Sequence, residues 1–179
     1  MILLIGSSIL KNWRHLSKIC QQNNYHIINN AVGGSTTDYQ LYSIDDLIIP
    51  YNPSVIIWYC GSNDINNNTQ VYKILLNTIK WVNKVSYIYP NCKILLLSII
   101  KAPQKYIDNH IYNIDLINTF IMKKISHHKN VIYIDINKYL CFDNQPILNY
   151  YKKDNLHLKN STYKLLSNII LDYIILQTM

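Results

Sequence analysis

Met1-Ile2-Leu3-Leu4-Ile5-Gly6-Ser7-Ser8 opens the chain with five consecutive apolar residues that run into a glycine and two serines. An apolar run of this length, with no polar residue alternating through it, reads as a strand buried on both faces. It is too short for the apolar region of a secretory leader, has no basic segment before it and meets no small-residue cleavage site. The expectation is therefore a first strand in a cytoplasmic protein. Runs of the same kind return at residues 25–29, 54–60, 93–100 and 130–136. Segments with helical spacing separate them, at about 11–22, 38–48, 69–87 and 106–126, with a last one near 160–176. Regular alternation of strand and helix predicts a three-layer α/β/α arrangement around a five-stranded parallel sheet, with right-handed crossovers. Asp38 is expected to cap the second helix, Pro50 and Pro53 to end it, and Asn68 or Thr69 to cap the third. With 179 residues, no internal repeat and no linker, the chain reads as one domain over 1–179.

The composition, 49% apolar and 15% charged, is that of a globular protein, and no apolar run approaches the roughly 18 residues that a membrane span needs. Cys20, Cys60, Cys92 and Cys141 form no Cys-x-x-Cys pair and fall within expected helices and strands, which predicts reduced, mostly buried thiols. The formal net charge of +7 raises the question of a polyanion partner. The basic residues are spread along the chain and nearly all are lysines, so no specific nucleic-acid site is expected. Richness in Asn, Ile, Lys and Tyr matches AT-biased codon usage, which accounts for much of the lysine excess but not for the absence of Glu.

In an open α/β sheet, ligands bind in the crevice beyond the carboxyl ends of the strands, so the residues just after each strand carry the functional reading. Gly6-Ser7-Ser8 follows the first strand and places a hydroxyl and a backbone N–H at a helix N-terminus, where an anion is stabilised. Alone, such a tripeptide is more often a helix cap than a nucleophile. Asp154-Asn155-Leu156-His157 precedes the last helix, and its three-residue offset lets the carboxylate reach Nδ1 of the imidazole. That leaves Nε2 free to serve as a general base. A surface turn with a capping Asp gives the same pattern. Gly33-Gly34-Ser35-Thr36 follows the second strand and permits close backbone approach, but it lacks the lysine of a phosphate-binding loop. Gly61-Ser62-Asn63-Asp64 follows the third strand and offers an amide able to donate to a developing oxyanion, or simply makes a turn.

Four such motifs in this order resemble the conserved blocks of the SGNH, or GDSL-type, hydrolases, over Ile5 to about Leu166. Ile5-Gly6-Ser7-Ser8-Ile9 with Trp13 is similar to the first block of a bacterial GDSL-type esterase branch, which puts Ser8 at the nucleophile position. Asn29-Asn30-Ala31-Val32-Gly33-Gly34-Ser35-Thr36 is similar to the second block, with Gly34 as its oxyanion-hole glycine. Gly61-Ser62-Asn63-Asp64 matches the third, with Asn63 as the oxyanion-hole amide. Asp154 and His157, followed by Leu158, match the last. Ser7 stands where most members carry Asp, and Ala31 replaces a frequent glycine. The resemblance implies a flavodoxin-like fold, in agreement with the alternating elements. The Gly-x-Ser-x-Gly elbow of the α/β-hydrolases is absent.

The chemistry implied is hydrolysis of short-chain acyl esters, acetyl esters above all, through an acyl-enzyme on Ser8. His157 acts as base, Asp154 orients it, and the N–H groups of Ser8 and Gly34 with the Asn63 amide receive the oxyanion. No metal and no organic cofactor is needed, and the substrate is a small-molecule or glycan ester. Because the base must be neutral, activity is expected to rise through roughly pH 6–7. The alternatives are a binding protein on the same fold without catalysis, supported by Ser7, and an acyltransferase that uses the same serine. His127-His128 and Asp108-x-His110 read as helix ends rather than metal ligands. Lys152 and Lys153 read as a solvated turn that can favour an anionic substrate. Tyr150, Tyr151, Lys101 and Gln104 are expected to line the acyl or leaving-group pocket.

Overall fold

The computed structural model describes residues 1–178. Strand β1 (Ile2–Gly6) leads into α1 (Ser8–Lys11) and α2 (Arg14–Gln22), and the chain returns as β2 (Ile27–Asn29). Helices α3 (Thr37–Tyr42) and α4 (Ile44–Leu47) then cross to β3 (Val55–Tyr59). Next come α5 (Ser62–Asn66), α6 (Val71–Ile88) and β4 (Lys93–Leu97), followed by α7 (Pro103–Ile107), α8 (Ile111–Ile125) and β5 (Val131–Ile134). The last stretch holds α9 (Asn137–Leu140), a small hairpin of β6 (Cys141–Phe142) and β7 (Gln145–Pro146), and α10 (Asn160–Thr178).

The five main strands pair in parallel in the order β2-β1-β3-β4-β5. Every residue of β1 and β3 is buried, whereas β2 and β5, at the edges, are only partly so. This burial is why the central strands show as continuous Ile, Leu and Val runs. The sheet is a flavodoxin-like α/β fold with a core on each face. On one face Leu10, Trp13, Leu16 and Cys20 of the α1–α2 region pack with Tyr163, Leu166 and Ile170 of α10. On the other, Ile44 of α4, Trp81 and Val85 of α6, and Ile117 and Ile121 of α8 cover β3 and β4. From β1 the chain leaves over the first face, and from β3 over the second. The connections leaving β1 and β3 therefore diverge to opposite faces at the topological switch point, where such sheets hold their ligands.

Local boundaries differ from the expectation in instructive ways. Thr36 caps α3, its hydroxyl accepting from Tyr39 N at 3.3 Å, while Asp38 sits in the first turn. The helix expected over 38–48 breaks at Ser43, and Pro50 lies inside a short 3-10 turn, Ile49–Tyr51. Neither Asn68 nor Thr69 caps α6. Asn68 adopts φ +55°, and Gln70 precedes the helix without a side-chain cap bond. The helix expected over 106–126 is divided at Asn109, φ +56°. Cys20, Cys60 and Cys92 are buried, Cys141 is half-buried, and all four are free thiols. Among the described residues no helix is long and apolar enough to cross a membrane.

Candidate active site

The first element of the site is the turn from β1 into α1. Gly6 packs so tightly against β3 that a Cβ there would stand 2.0 Å from the Tyr59 carbonyl oxygen, so only glycine fits. Ser7 is buried, donates its N–H to Tyr59 O at 3.0 Å, and accepts from Lys11 N at 3.0 Å. Backbone bonds thus close this turn. Ser8 becomes the first residue of α1, where a backbone N–H has no partner within the helix.

The second element is the turn before α10. Tyr151 and Leu158 form an antiparallel bridge, Lys152 N donates to His157 O at 2.7 Å, and Asn155 takes φ +57° at the tip. Asp154 divides its oxygens between two tasks. Oδ1 accepts from the N–H groups of Leu156 at 3.0 Å and His157 at 2.9 Å, while Oδ2 lies 2.8 Å from His157 Nδ1. The contacts that form the turn and the contact to the imidazole are therefore made by different oxygens. His157 Nε2 lies 3.0 Å from Ser8 Oγ. With Nδ1–H donating to the carboxylate, Nε2 is the acceptor for the Ser8 hydroxyl. Partial burial alone would raise the Asp154 pKa. The two backbone N–H donors and the His157 ring outweigh it and hold the carboxyl below its ordinary value.

Across the switch point lie the loops after β2 and β3. Gly34 has φ +79°, and a Cβ there would meet nothing within 4 Å, so its backbone borders open space. Asn63 donates one amide hydrogen to Ser35 O at 2.9 Å, which leaves the second for another acceptor. The two loops are joined beneath the surface by a network that the sequence reading missed. Buried Asp64 accepts from Thr37 N at 3.0 Å and from Thr37 Oγ1 at 2.6 Å, and Asn77 donates to Thr37 Oγ1 at 3.3 Å. Burial raises the Asp64 pKa against the lowering effect of the Thr37 donors. Gln40 Nε2 donates to Ser35 Oγ at 2.9 Å, and Ser35 Oγ donates to Gly6 O at 3.1 Å, so the β2 loop is also tied to the end of β1. Lys105, fully buried on α7, donates to Ser62 O at 2.9 Å and to Asn66 Oδ1, and so braces α5 from below. Asp64 adjoins Asn63 in its motif and was within reach of the sequence reading. Nothing in Lys-Ala-Pro-Gln-Lys marks Lys105.

The residues expected to line a substrate pocket divide. Tyr151 belongs to the core at 2% exposure, so it forms no pocket wall, and Tyr150 packs on that core. Lys101 pairs with Asp115 at 2.5 Å and lines a cavity of about 310 Å³ with Tyr133 and Asp135, to which neither Ser8 nor His157 contributes. Gln104 lies closer to the turn of His157, its backbone N–H donating to Asn155 O at 2.9 Å. His127 and His128 follow the end of α8, and Asp108 and His110 lie at the α7–α8 corner. Among the described residues no three His, Cys, Asp or Glu side chains converge as metal ligands.

Comparison with known proteins finds solved structures of the same fold. A protein from Streptococcus pneumonia superposes with a TM-score of 0.84 at 25% identity, covering 96% of this chain and 82% of the other. The lipase/acylhydrolase from Enterococcus faecalis gives 0.79 at 18% identity, covering 97% and 94%. The family 3 carbohydrate esterase of Clostridium thermocellum gives 0.74 at 18% identity, also covering 97% and 94%. A sequence comparison with curated proteins gives no match. The family model of the GDSL-like lipases and acylhydrolases matches residues 5–165, and the chain belongs to that family.

Proposed function

We propose that the chain, as one domain over residues 1–179, is a serine esterase that hydrolyses short-chain acyl esters, acetyl esters above all. The observation that carries this reading is the unbroken run of contacts from Ser8 Oγ through His157 to Asp154, 3.0 Å and 2.8 Å, beside the switch point of the sheet. As Ser8 Oγ attacks the ester carbonyl, His157 Nε2 takes its proton, and Asp154 stabilises the resulting imidazolium. The carbonyl oxygen gains negative charge and meets the N–H groups of Ser8 and Gly34 and the second amide hydrogen of Asn63. The protonated imidazole then gives its proton to the departing alcohol. Water, deprotonated by His157, releases the acyl group from Ser8 and restores the site. The connections that carry Ser8, Gly34 and Asn63 are short, which favours small acyl groups.

The test is hydrolysis of p-nitrophenyl acetate, butyrate and octanoate by the wild type and by Ser8→Ala purified alongside it. Turnover that is highest on acetate and vanishes in the variant supports the reading. A rate that survives Ser8→Ala removes the serine from the chemistry, and a preference for octanoate overturns the short-chain assignment.

A further inference from the structure

A cavity of about 460 Å³ opens between the start of α2 and the turn before α10. Arg14, His15 and Lys18 of α2 form one wall, and Lys152 stands on the other. No carboxylate lines it, and the nearest negative charge felt at its Tyr163 floor is that of Asp154. Among the described residues the ion pairs are Lys73–Asp38, Lys84–Asp45, Lys101–Asp115 and His157–Asp154, so none neutralises Arg14, Lys18 or Lys152. Arg14, Lys18 and Lys152 are exposed, so water screens their mutual repulsion, and the concavity attracts an anion through their summed positive potential. Arg14 is also the only arginine among the 17 Lys and Arg residues of the chain. In a protein that otherwise carries its positive charge on lysine, the one planar fork, suited to gripping two oxygens of a phosphate, lies in this cavity.

Neither Ser8 nor His157 lines this cavity, but segments adjoining both of them do. Asn12, on its rim, directly follows α1 and stands four residues beyond Ser8, about 6 Å along a helix. Lys152 belongs to the turn of His157, to whose carbonyl its N–H donates at 2.7 Å. The floor is Tyr163, 2% exposed, whose hydroxyl donates to Ile9 O at 3.0 Å, next to Ser8. An anion held there is thus anchored to the two elements that carry Ser8 and His157.

We infer that this cavity binds a phosphate group carried on the alcohol half of the ester substrate, an inference that rests on the esterase reading above. The same oxyanion chemistry is offered by free inorganic phosphate, and the experiment separates the two sources. In one arm, Ser8→Ala protein is titrated calorimetrically with inorganic phosphate and with glycerol 3-phosphate, with and without the paired change Arg14→Gln/Lys18→Gln. In the other, kcat/KM is measured for 1-acetylglycerol 3-phosphate and for neutral p-nitrophenyl acetate, in the Ser8 enzyme with and without that pair. Removing two charge-assisted contacts is expected to weaken binding at least about tenfold and to lower the phosphorylated-to-neutral ratio of kcat/KM by a similar factor. Lys123→Gln/Lys124→Gln, which removes the same charge from α8, should leave both quantities unchanged.

A ratio that does not respond, with phosphate binding lost, makes free phosphate the ligand and overturns the substrate assignment. An equal loss in the α8 variant, or no phosphate binding by the parent protein, overturns the site. If neither ester turns over, the esterase reading fails, and the calorimetric arm still decides whether the cavity takes phosphate.

Discussion

At Asp154 the two carboxylate oxygens have separable jobs, and a single atom exchange tells them apart. Asp154→Asn keeps an oxygen for the N–H groups of Leu156 and His157, so the turn should survive with stability changed by no more than about 1 kcal/mol. Its new NH₂, however, faces His157 Nδ1, donor to donor, and the imidazole must take the tautomer in which Nε2 carries the proton and cannot accept one. Esterase turnover should fall by roughly 10³–10⁴ while the unfolding midpoint hardly moves, a split that a merely structural Asp would not produce. Asn63→Ala removes one oxyanion donor and should cost about 2.7–4 kcal/mol of transition-state stabilisation, a hundredfold or more in kcat. Equal kcat in that variant would take Asn63 out of the reaction. Two glycines of the crevice, Gly6 and Gly34, differ in kind. Gly6→Ala drives a methyl into the Tyr59 carbonyl and should destabilise the fold by at least the ~3 kcal/mol at the upper end of ordinary overpacking. Gly34→Ala meets open space and bears only the left-handed backbone cost of about 1–2 kcal/mol. Denaturant unfolding of the two variants side by side should rank them in that order.

Elements bring these residues together, and the clasp that does so is made by α10. Trp13, at the corner between α1 and α2, donates from Nε1 to Ser167 Oγ at 2.7 Å and packs on Tyr163 with ring centroids 5.5 Å apart. Because α1 begins with Ser8 and α10 follows the His157 turn, this contact fixes the two sides of the pair relative to each other. Ser167→Ala leaves the fully buried indole N–H without its acceptor and should cost about 1–3 kcal/mol, read from the shift in denaturant midpoint. An unchanged midpoint would mean that another acceptor takes the indole. All five main strands were legible in the sequence as apolar runs, the edge strands β2 and β5 included although they are only partly buried. Strands β1, β3 and β4 announce themselves because nearly every residue is apolar, and their ends locate the Ser8 and Asn63 motifs without further information. Helix breaks were not legible, since Ser43 and Asn109 are ordinary polar residues whose neighbours keep helical spacing on both sides. The hairpin of β6 and β7 was missed because two-residue strands have no periodicity to read. At the proposed site, Ser8, Gly34, Asn63, Asp154 and His157 stand out in the sequence because each sits in a short local motif. The Asp64–Thr37 bond and the Lys105 brace join residues far apart in sequence and leave no local trace.

At the scale of the whole molecule, Lys105 makes stability depend on pH in a definite direction. Among the described residues it is the most completely buried lysine, and burial lowers its pKa from 10.5 to about 8 against the opposing pull of Asp108. Below about pH 8 the folded and unfolded chains both carry the proton, and the folded state bears the whole cost of burying the charge. Between about pH 8 and 10 the folded lysine has lost its proton while the unfolded one keeps it, so the unfolded state binds more protons and stability must rise with pH. Other buried groups work against this rise. Burial pushes the thiols of Cys20 and Cys92 up to about 11 and about 12, and it raises the hydroxyls of Tyr59 and Tyr163 as well. Groups raised in the folded state lend stability that is lost as pH climbs past their unfolded values, so the wild-type curve alone mixes both signs. Lys105→Met isolates the lysine, because the cysteines and tyrosines are common to both proteins. The difference in unfolding free energy, wild type minus variant, should grow in favour of the wild type by about 2 kcal/mol between roughly pH 8 and 10. A difference that stays flat across that range would mean that Lys105 does not lose its proton in the folded protein there, and that α5 is braced by an ammonium throughout.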